Sequence, residues 1–411
     1  MAAALGVLVS CGSVKSGEEV VAASRDSKVV VAYVTSWSEV MPDPQYMTHI
    51  NYAFGHVNES FNGVKIDNEE RLRQIVDLRK QKPELKVLLS IGGWGSGRFS
   101  EMAANDEYRR AFVADCARVV KEFALDGIDI DWEYPTSSMA NISSSPDDTE
   151  NFTLLMQDIR AAIGNEKELT LATVASARYI DFKAILPSVD FVNIMAYDMA
   201  SAPKHHSALY PSGHSGDITS DGAVTAHLKA GVPPSKLVMG MPFYGRGGDG
   251  YPSFQDYNKV GNTDTQYTEK WDEVAQVPYL ADKNDTLVFG FENPRSLAIK
   301  CQYILDKDLL GGMYWDYSGD NEQGDLRRTV AENLLGKPHK AKVLVLTERG
   351  GQHGGFTDAG LRWLAAEGAK GNFSITEINN ARNITEAYLS QFSLVIQLDF
   401  PPYTWPKEAE D

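Results

Sequence analysis

The sequence DGIDIDWEYP at residues 126–135 carries three carboxylates at alternate positions, Asp129, Asp131 and Glu133. In a strand, alternate side chains point to the same side and lie about 6–7 Å apart. Three such charges would be very costly in a packed interior, because they repel one another and lose hydration. The stretch therefore predicts a strand that ends at an open cleft, with its carboxylates directed into that cleft.

Crowded carboxyl groups do not all ionise easily, so one of them tends to keep a proton near neutral pH, as a general acid must. The spacing alone does not decide which group keeps it, but Glu133 is outermost and best placed to reach a substrate. A calcium loop needs polar spacers and a glycine at its sixth position, whereas Ile128, Ile130 and Trp132 intervene here. A solvated acidic surface would not alternate with such bulky groups, and we expect Trp132 to pack against helices.

Short apolar runs alternate with helical patterns on both sides of this stretch. The strand-like runs are residues 29–35, 49–54, 86–91, 127–132, 169–174, 191–196, 236–241 and 312–315, and helices are predicted at 69–80, 106–124, 149–163, 220–230 and 296–307. Eight strands that alternate with helices predict an α/β chain with a (β/α)8 barrel. A doubly wound open sheet is the alternative that periodicity leaves open. In a barrel, catalytic residues lie at the carboxyl ends of the strands, where the acidic row falls.

Five motifs together resemble glycoside hydrolase family 18. They are D-x-x-D-x-D-x-E at 126–133, S-I-G-G at 90–93, M-A-Y-D at 195–198, G-M-P-F-Y-G-R at 240–246 and G-G-M-Y-W-D at 311–316. They occur in the family's order and on the strands where the family has them, and the resemblance spans residues 28–336. It implies a TIM barrel and a chitinase-like glycoside hydrolase.

The resemblance implies a substrate-assisted mechanism, in which no enzyme carboxylate attacks the sugar. Glu133 would protonate the glycosidic oxygen while the substrate's own 2-acetamido oxygen attacks and forms an oxazolinium ion. Asp131 would orient that acetamide and offset its positive charge, and Tyr197 would hold it in line. Asp129, inside the barrel, would share a proton with Asp131.

The same resemblance implies a set of substrate-binding residues. Trp315 would form the floor under the sugar whose bond is cleaved, because its apolar face fits the C–H face of a pyranose ring. Trp94, Tyr134, Tyr244 and Trp37 are candidates for neighbouring subsites, with ordinary core packing as the alternative for Trp94 and Trp37. The other residues assigned to the substrate site are Tyr33, Phe54, Ser90, Gly93, Met195, Asp198 and Arg246, of which Tyr33 and Ser90 would also support Asp129.

The implied substrate is a glycan that contains N-acetylglucosamine, and hydrolysis of β-1,4 links in chitin or chito-oligosaccharides is the first hypothesis. An endo-β-N-acetylglucosaminidase that cuts N-glycan cores and a hydrolase of bacterial peptidoglycan are alternatives on the same fold. A non-catalytic chitin-binding lectin is the alternative from another class. Such lectins typically lack the terminal acid, which is present here as Glu133. No cofactor or metal is expected.

Two further patterns between residues 205 and 294 resemble ligand sites but lack features that those sites need. G-x-G-x-x-G at 245–250 is not followed by the helix that a dinucleotide site needs. His205, His206 and His214 share a loop without the spacing of a zinc site, so we expect a solvated loop. Many family members insert an α+β domain before the eighth strand. Residues 246–294 are too short for the full insertion, which predicts a shallower groove.

Composition limits the partners of the chain. The formal net charge of −17 argues against a nucleic-acid partner, because phosphate binding requires a basic surface. Aromatic residues make up 10% of the chain, which suits stacking against sugars. Three cysteines do not form a disulfide framework. Cys116 and Cys301 lie in helical patterns and are expected to be buried thiols, and we expect a monomer.

The stretch L-V-S-C at 8–11 resembles the lipobox of bacterial lipoproteins, in which the cysteine, here Cys11, carries the lipid. No Lys or Arg precedes this apolar run, unlike in a signal peptide, so an apolar run without a role is the alternative. With residues 1–27 as signal and tether and 28–336 as the catalytic barrel, we expect an extracellular or cell-surface protein. It would meet a membrane only through this anchor.

Residues 341–411 are predicted to form a second α/β unit after a linker-like segment at 336–340. The stretch KVLVLTERGGQHGGFT at 342–357 resembles the start of ThuA-like (trehalose-utilisation) domains, whose fold is flavodoxin-like. The resemblance covers only the first third of such a domain. We therefore expect a truncated flavodoxin-like unit, to which no chemistry is assigned.

Overall fold

The computed structural model describes residues 28–248, 251–260, 266–336, 341–347, 354–369, 373–379, 384–389 and 392–398. The predicted lipid site at Cys11 and the tether at 1–27 lie outside the described residues. None of the helices within these ranges is long and apolar enough to span a membrane.

Seventeen strands occur in the described ranges. They are β1 (Val29–Thr35), β2 (His49–Val57), β3 (Val64–Ile66), β4 (Lys86–Gly92), β5 (Gly127–Asp131), β6 (Glu168–Val174), β7 (Phe191–Met195), β8 (Leu237–Pro242), β9 (Tyr244–Gly247), β10 (Gln255–Asp256), β11 (Thr268–Asp272), β12 (Val277–Ala281), β13 (Leu287–Gly290), β14 (Gly311–Trp315), β15 (Ala341–Thr347), β16 (Phe373–Ile378) and β17 (Leu394–Leu398).

Ten α-helices connect these strands within the same described ranges. They are α1 (Glu69–Val76), α2 (Phe99–Ala104), α3 (Asp106–Glu122), α4 (Asp148–Ile163), α5 (Phe182–Ile185), α6 (Ser220–Lys229), α7 (Pro294–Asp306), α8 (Asp325–Leu335), α9 (Gly354–Ala369) and α10 (Glu386–Leu389).

Eight parallel strands close into a barrel in the order β1-β14-β8-β7-β6-β5-β4-β2, and the ring is completed by pairing of β1 with β2. All eight strand-like runs predicted from the sequence are barrel strands, which confirms the (β/α)8 prediction. Because β1 pairs on both edges, the open-sheet alternative is excluded. The short β3 is antiparallel to β2 and lies outside the ring.

Several helices begin where a side chain caps the free N–H groups of their first turn. Asn105 accepts from the backbone N–H groups of Glu107 and Tyr108 at the start of α3. Asn293 and Ser296 form a reciprocal capping box at the start of α7. Pro294 fits the first turn of α7 because its missing N–H would have no helical partner there. This helix therefore begins two residues before its predicted start.

The main core lies between the barrel and its helices, and β5 shows how the pattern builds it. Ile128, Ile130 and Trp132 are buried on its outer side. The Trp132 ring stacks on Phe99 with centroids 5.3 Å apart and meets Phe152 edge-on at 6.0 Å. Trp132 therefore packs against helices α2 and α4, as predicted. The other two predicted core residues, the free thiols of Cys116 and Cys301, are also fully buried.

The described residues between β8 and β14 include a separate antiparallel sheet of five strands in the order β10-β9-β13-β12-β11. The described residues between β9 and β13 contain no α-helix, so this part of the insertion lacks the helical component of the α+β domain that the resemblance implied for other members. Its strand β9 follows β8 after a single residue. This sheet therefore begins directly at the carboxyl end of a barrel strand.

The described residues of the second predicted unit contain three parallel strands in the order β16-β15-β17. Helix α9 connects β15 with β16, and α10 lies between β16 and β17. These strands and helices lie in the stretch 341–411 that is predicted to be a second α/β unit. Val343, Val345 and Leu364 form the buried centre of a small cluster between the sheet and α9.

A buried ion pair joins the insertion to the barrel. Lys300 of α7 contacts Glu292, both side chains are fully buried, and the Lys300 ammonium also donates to the Ser207 carbonyl. Burial lowers the Lys300 pKa, while the adjacent Glu292 opposes that shift. The pair therefore holds two charges in a place where neither would be stable alone.

We expect Lys300→Met to lower the free energy of unfolding by about 3–5 kcal/mol, because it leaves Glu292 buried without its partner. Urea unfolding followed by circular dichroism measures the change. The double substitution Lys300→Met with Glu292→Gln removes both charges and should recover part of the loss. If Lys300→Met alone is as stable as the wild type, the ion pair contributes nothing to the free energy of unfolding.

Candidate active site

The acidic row lies at the carboxyl end of β5, and its innermost member is fully buried. Asp129 accepts hydrogen bonds from the Tyr33 hydroxyl at 2.8 Å, Ser90 Oγ at 2.8 Å, Thr170 Oγ1 at 2.6 Å and Asn193 Nδ2 at 3.3 Å. Burial raises the Asp129 pKa, and the donors act in the other direction. Asp129 is therefore held in one position by four strands of the barrel.

Two of these donors, Thr170 and Asn193, were missed by the sequence reasoning. Both are polar residues inside otherwise apolar strands, which is the signal that could have found them. Thr170 is the direct parallel neighbour of Asp129 on β6, as Ser90 is on β4. The register of the barrel strands thus determines which side chains reach the carboxylate.

Asp131 is the second member of the row, and only 4% of it is exposed. Its Oδ1 atom has no hydrogen-bond partner among the described residues. Burial, followed by the charges of Glu133 and Asp129, raises the Asp131 pKa well above its ordinary value. A positively charged group in the cleft would stabilise the ionised form of Asp131, which burial and repulsion both disfavour.

Glu133 is the outer member and lines the cleft. Burial raises its pKa to about 7, a hydrogen bond with Tyr134 lowers it, and the Asp198 charge raises it. A carboxyl group with this pKa carries a proton in a large fraction of molecules at neutral pH. It can therefore act as the general acid that the acidic row predicts.

Tyr197 follows β7 and also lines the cleft. Its hydroxyl contacts the Met313 sulfur at 3.7 Å, and sulfur is a weak acceptor. Burial and the charges of Asp131 and Glu133 raise the pKa of Tyr197, so its proton stays on the hydroxyl. The group can donate a strong hydrogen bond to an acceptor that enters the cleft.

The cleft has a volume of about 560 Å³ and opens at the carboxyl ends of the barrel strands. Most of its predicted residues line it together, and the lining residues are Tyr33, Trp37, Phe54, Trp94, Asp131, Glu133, Tyr134, Met139, Ala172, Val174, Arg178, Tyr179, Met195, Tyr197, Asp198, Tyr244, Arg246, Phe254 and Trp315. Six of these were not predicted: Met139, Ala172, Val174, Arg178, Tyr179 and Phe254.

Aromatic rings form one wall of this cleft. The Trp315 ring stacks on Phe54, with centroids 5.6 Å apart and planes inclined by 20°. Tyr33 and Trp37 lie 5.6 Å and 6.5 Å from the same ring. Trp37 and Trp94 are 64% and 63% exposed, which excludes the core-packing alternative for both. The exposed ring faces fit the apolar faces of pyranose sugars.

Two predicted substrate-binding residues, Ser90 and Gly93, do not line the cleft. Ser90 is fully buried, and its hydroxyl donates to Asp129. Gly93 has a φ of +93°, and a Cβ atom there would lie 2.6 Å from the Phe54 ring. Ser90 contacts Asp129, as the resemblance also implied, and Gly93 leaves room for Phe54. Direct contact of either residue with substrate stays a prediction.

Asp198 is joined to the insertion by an ion pair. Arg246 Nε and Nη2 donate to the two Asp198 carboxylate oxygens at 2.7 Å and 2.5 Å. Burial alone would raise the Asp198 pKa, but the contacts with Arg246 and His206 lower it well below its usual range. Asp198 therefore stays ionised in the cleft while Glu133 holds a proton.

The solvated-loop prediction for the histidines is wrong for two of the three. His205 and His206 are buried, and His205 Nε2 lies 3.1 Å from Asp272 Oδ2. The insertion sheet covers this loop, a contact that sequence spacing does not reveal. Among the residues that the structure describes, no group of three or more His, Cys, Asp or Glu side chains is arranged to hold a metal ion. Residues 245–247 lie in strand β9 and open no helix.

A closed barrel that holds a protonatable carboxyl group beside aromatic walls at its open end has the features that a glycoside hydrolase requires. The family model described as "Glycosyl hydrolases family 18" matches residues 29–320. The chain belongs to this family.

Several known proteins are similar to the chain. Chitinase A1 of Niallia circulans is 29% identical over 409 residues, which cover 74% of this chain and 58% of that protein. Chitotriosidase-1 of Mus musculus is 31% identical over 350 residues, covering 72% of this chain and 74% of the relative. The solved structure of a family 18 N-acetylglucosaminidase from Paenibacillus barengoltzii is 32% identical with a TM-score of 0.69, covering 74% of this chain and 99% of that one.

Proposed function

We propose that this enzyme hydrolyses β-1,4 links between N-acetylglucosamine units in chitin or chito-oligosaccharides. The observation that carries the proposal is the pair of adjacent carboxyl groups in one aromatic cleft. Glu133 has a pKa of about 7, and the pKa of buried Asp131 is raised by Glu133 and Asp129. Similarity to chitinases from a bacterium and a mouse supports the substrate class.

In the proposed mechanism, Glu133 gives its proton to the glycosidic oxygen as the C1–O bond breaks. The 2-acetamido oxygen of the substrate attacks C1 and forms an oxazolinium ion, so no enzyme carboxylate bonds to the sugar. Asp131 offsets the positive charge of this ion, and the Tyr197 hydroxyl donates to the acetamide oxygen. Water then adds to C1 and returns a proton to Glu133, with retention of configuration.

The buried Asp129 supports this scheme from inside the barrel. Its four hydrogen bonds fix the carboxylate, while the Asp131 carboxylate leaves one oxygen free. A positioned charge behind Asp131 favours the state in which Asp131 carries or shares a proton before substrate binds. The acetamide can then replace that proton as the positive partner of Asp131.

The function is tested with fluorogenic conjugates of N-acetylglucosamine, chitobiose and chitotriose. We expect release of the aglycone and competitive inhibition by a thiazoline analogue of the oxazolinium ion. The analogue should bind about 10²-fold or more tightly than substrate, because species that resemble the transition state are favoured. Hydrolysis without inhibition would contradict the substrate-assisted mechanism. Binding of chito-oligosaccharides without hydrolysis would favour the lectin alternative.

Release of single N-acetylglucosamine units is a second candidate activity. The Paenibacillus barengoltzii structure, described as an N-acetylglucosaminidase, supports it because nearly all of that chain is covered. Faster release from the N-acetylglucosamine conjugate than from the longer conjugates would favour this activity. The opposite order would favour cleavage within chains, and a branched N-glycan would test the endo-β-N-acetylglucosaminidase alternative.

We further propose that the chain divides into a catalytic barrel at 28–336 and a flavodoxin-like, ThuA-like unit at 341–411. The strand order β16-β15-β17 supports this, because the first three strands of a flavodoxin-like sheet have the order 2-1-3. The parallel pairing of all three strands and the connecting helix α9 also fit that fold. The monomeric state, the cell-surface location and the lipid at Cys11 stay predictions.

A further inference from the structure

Two arginines line the cleft, and they differ in their partners. Arg246 is bound to Asp198 through both carboxylate oxygens. Arg178 is exposed and forms no ion pair with an acid in the described part of the chain, while its Nε donates to Ser176 Oγ at 3.0 Å. Among the described residues that line the cleft, Arg178 therefore carries a guanidinium group whose charge is not balanced by a neighbouring carboxylate.

The loop that carries Arg178 is held in a defined conformation. Ala177 and Tyr179, on either side of it, have φ values of 55° and 76°. Non-glycine residues stay in this region only where the surrounding structure holds them there. Thr149 of α4 donates to the Tyr179 carbonyl at 2.9 Å, and Ala177 N–H donates to the Val174 carbonyl at 3.0 Å. Arg178 is thus presented at the cleft by a fixed backbone.

The strand order places this loop on the acid's side of the cleft. In the ring of eight strands, β5 lies four positions from β14, and β6 lies four positions from β1. Glu133 therefore lies across the barrel mouth from Trp315, and Arg178 lies across from Trp37. The Tyr134 ring, next to the acid in sequence, stacks on Tyr179 with centroids 5.5 Å apart and an angle of 14°.

Tyr134, Tyr179 and Arg178 form a continuous surface that begins beside Glu133 and extends away from it. Tyr134 and Tyr179 present stacked rings, and the Arg178 guanidinium carbon lies 5.7 Å from the centre of the Tyr179 ring. In the proposed mechanism Trp315 carries the sugar that forms the oxazolinium ion. Glu133 protonates the oxygen of the group that leaves, so the leaving group lies on the acid's side.

We propose that Arg178 binds a carboxylate on the leaving group, so that the enzyme prefers N-acetylglucosaminides with an anionic aglycone. The inference rests on the proposed hydrolysis and adds a substrate feature to it. The chemistry is unchanged. Glu133 protonates the leaving oxygen as its bond to C1 breaks, water supplies hydroxide to C1, and the proton of that water returns to Glu133. The carboxylate stays ionised and pairs with the guanidinium group throughout.

The test compares two chitobiose conjugates, one of 4-nitrophenol and one of 3-carboxy-4-nitrophenol. The measured quantity is the ratio of kcat/KM for the carboxylated conjugate to kcat/KM for the neutral one. We expect Arg178→Gln to lower this ratio by about three- to tenfold, because an accessible ion pair contributes modestly. The difference in leaving-group acidity cancels, since each variant is measured with the same two compounds.

Two controls separate a local contact from a general charge effect. Arg110→Gln removes one positive charge from the exposed side of helix α3 and should leave the ratio unchanged. Arg178→Lys keeps the charge without the planar fork and should give an intermediate ratio. Raising the ionic strength from about 0.05 M to about 0.5 M should lower the wild-type ratio, because salt screens accessible charges.

Equal ratios for the wild type and Arg178→Gln would overturn the inference while leaving the proposed function intact. If the wild type cleaves neither conjugate, the proposed function itself fails. A second experiment compares two natural sources of the carboxylate. One arm uses the N-acetylglucosamine–N-acetylmuramic acid disaccharide with its lactyl carboxylate free or amidated. The other arm uses an N-acetylglucosaminide of glucuronate with the glucuronate carboxylate free or amidated. Preference for the free acid in either arm supports the inference and identifies the source. No preference in both arms overturns it.

Discussion

Glu133→Gln is expected to lower kcat on the chitotriose conjugate by about 10²–10⁴-fold, which is the usual contribution of general acid catalysis. The amide keeps the shape of the side chain but does not donate the proton that the leaving oxygen needs. KM should change little, because the aromatic walls that contact the sugars are untouched. Initial rates of aglycone release measure both quantities.

The same substitution makes a prediction about pH. The protonated form of Glu133 is active, and burial raises its pKa to about 7. In the wild type, kcat/KM should therefore fall as the pH rises through about 7, whereas Glu133→Gln should lack that decline because an amide does not titrate. Glu59→Gln, on the exposed turn after β2, should retain both the rate and the decline. If kcat/KM of Glu133→Gln still falls as the pH rises through about 7, the decline belongs to another group.

Asp131→Asn is expected to lower kcat by about 10²–10³-fold, the range found when one group that stabilises a developing charge is removed. The oxazolinium ion is positive, and the Asp131 carboxylate has one oxygen without a partner in the described structure. An asparagine has nearly the same shape but no negative charge. The loss should therefore occur mainly in kcat, with a smaller change in KM.

The thiazoline analogue gives this variant an independent readout. Its affinity should fall in Asp131→Asn by more than the affinity for chitobiose does, because only the analogue resembles the charged intermediate. Asp217→Asn, in an exposed loop after β7, serves as the matched substitution and should leave inhibition unchanged. If the thiazoline analogue inhibits Asp131→Asn as strongly as it inhibits the wild type, Asp131 does not face the oxazolinium ion.

The sequence was most informative where one pattern expressed one physical requirement. The alternation of acids with Ile128, Ile130 and Trp132 fixes both faces of β5, because a strand has only two sides. The eight apolar runs located the barrel strands, but they did not distinguish a barrel from an open sheet, because closure depends on the pairing of β1 with both β14 and β2. Strand ends differ from the predictions by at most three residues, where loops continue the extended backbone.

The site residues that escaped prediction are those brought in by tertiary contact. Thr170 and Asn193 reach Asp129 through strand register, and Arg178 and Tyr179 reach the cleft because a loop holds them there. His206 is buried by the insertion sheet, 3.4 Å from Asp198, although its neighbours in sequence resemble a surface loop. Thr170 and Asn193 are polar residues within apolar strands, a signal that marks them without revealing their partner. No local pattern encodes the contacts of Arg178, Tyr179 or His206.

The insertion sheet forms one side of the cleft, whereas the residues of the reaction belong to the barrel. Strand β9 carries Tyr244 and Arg246, and Phe254 stacks on Tyr244 with centroids 4.6 Å apart. The acidic row belongs to β5, far away in the chain and on another sheet. Loops of the antiparallel sheet can therefore vary in length or composition and change the shape of this side of the cleft without disturbing the strand that carries the acid. The fold thus keeps the reaction centre constant while the part of the substrate site on the insertion sheet can change.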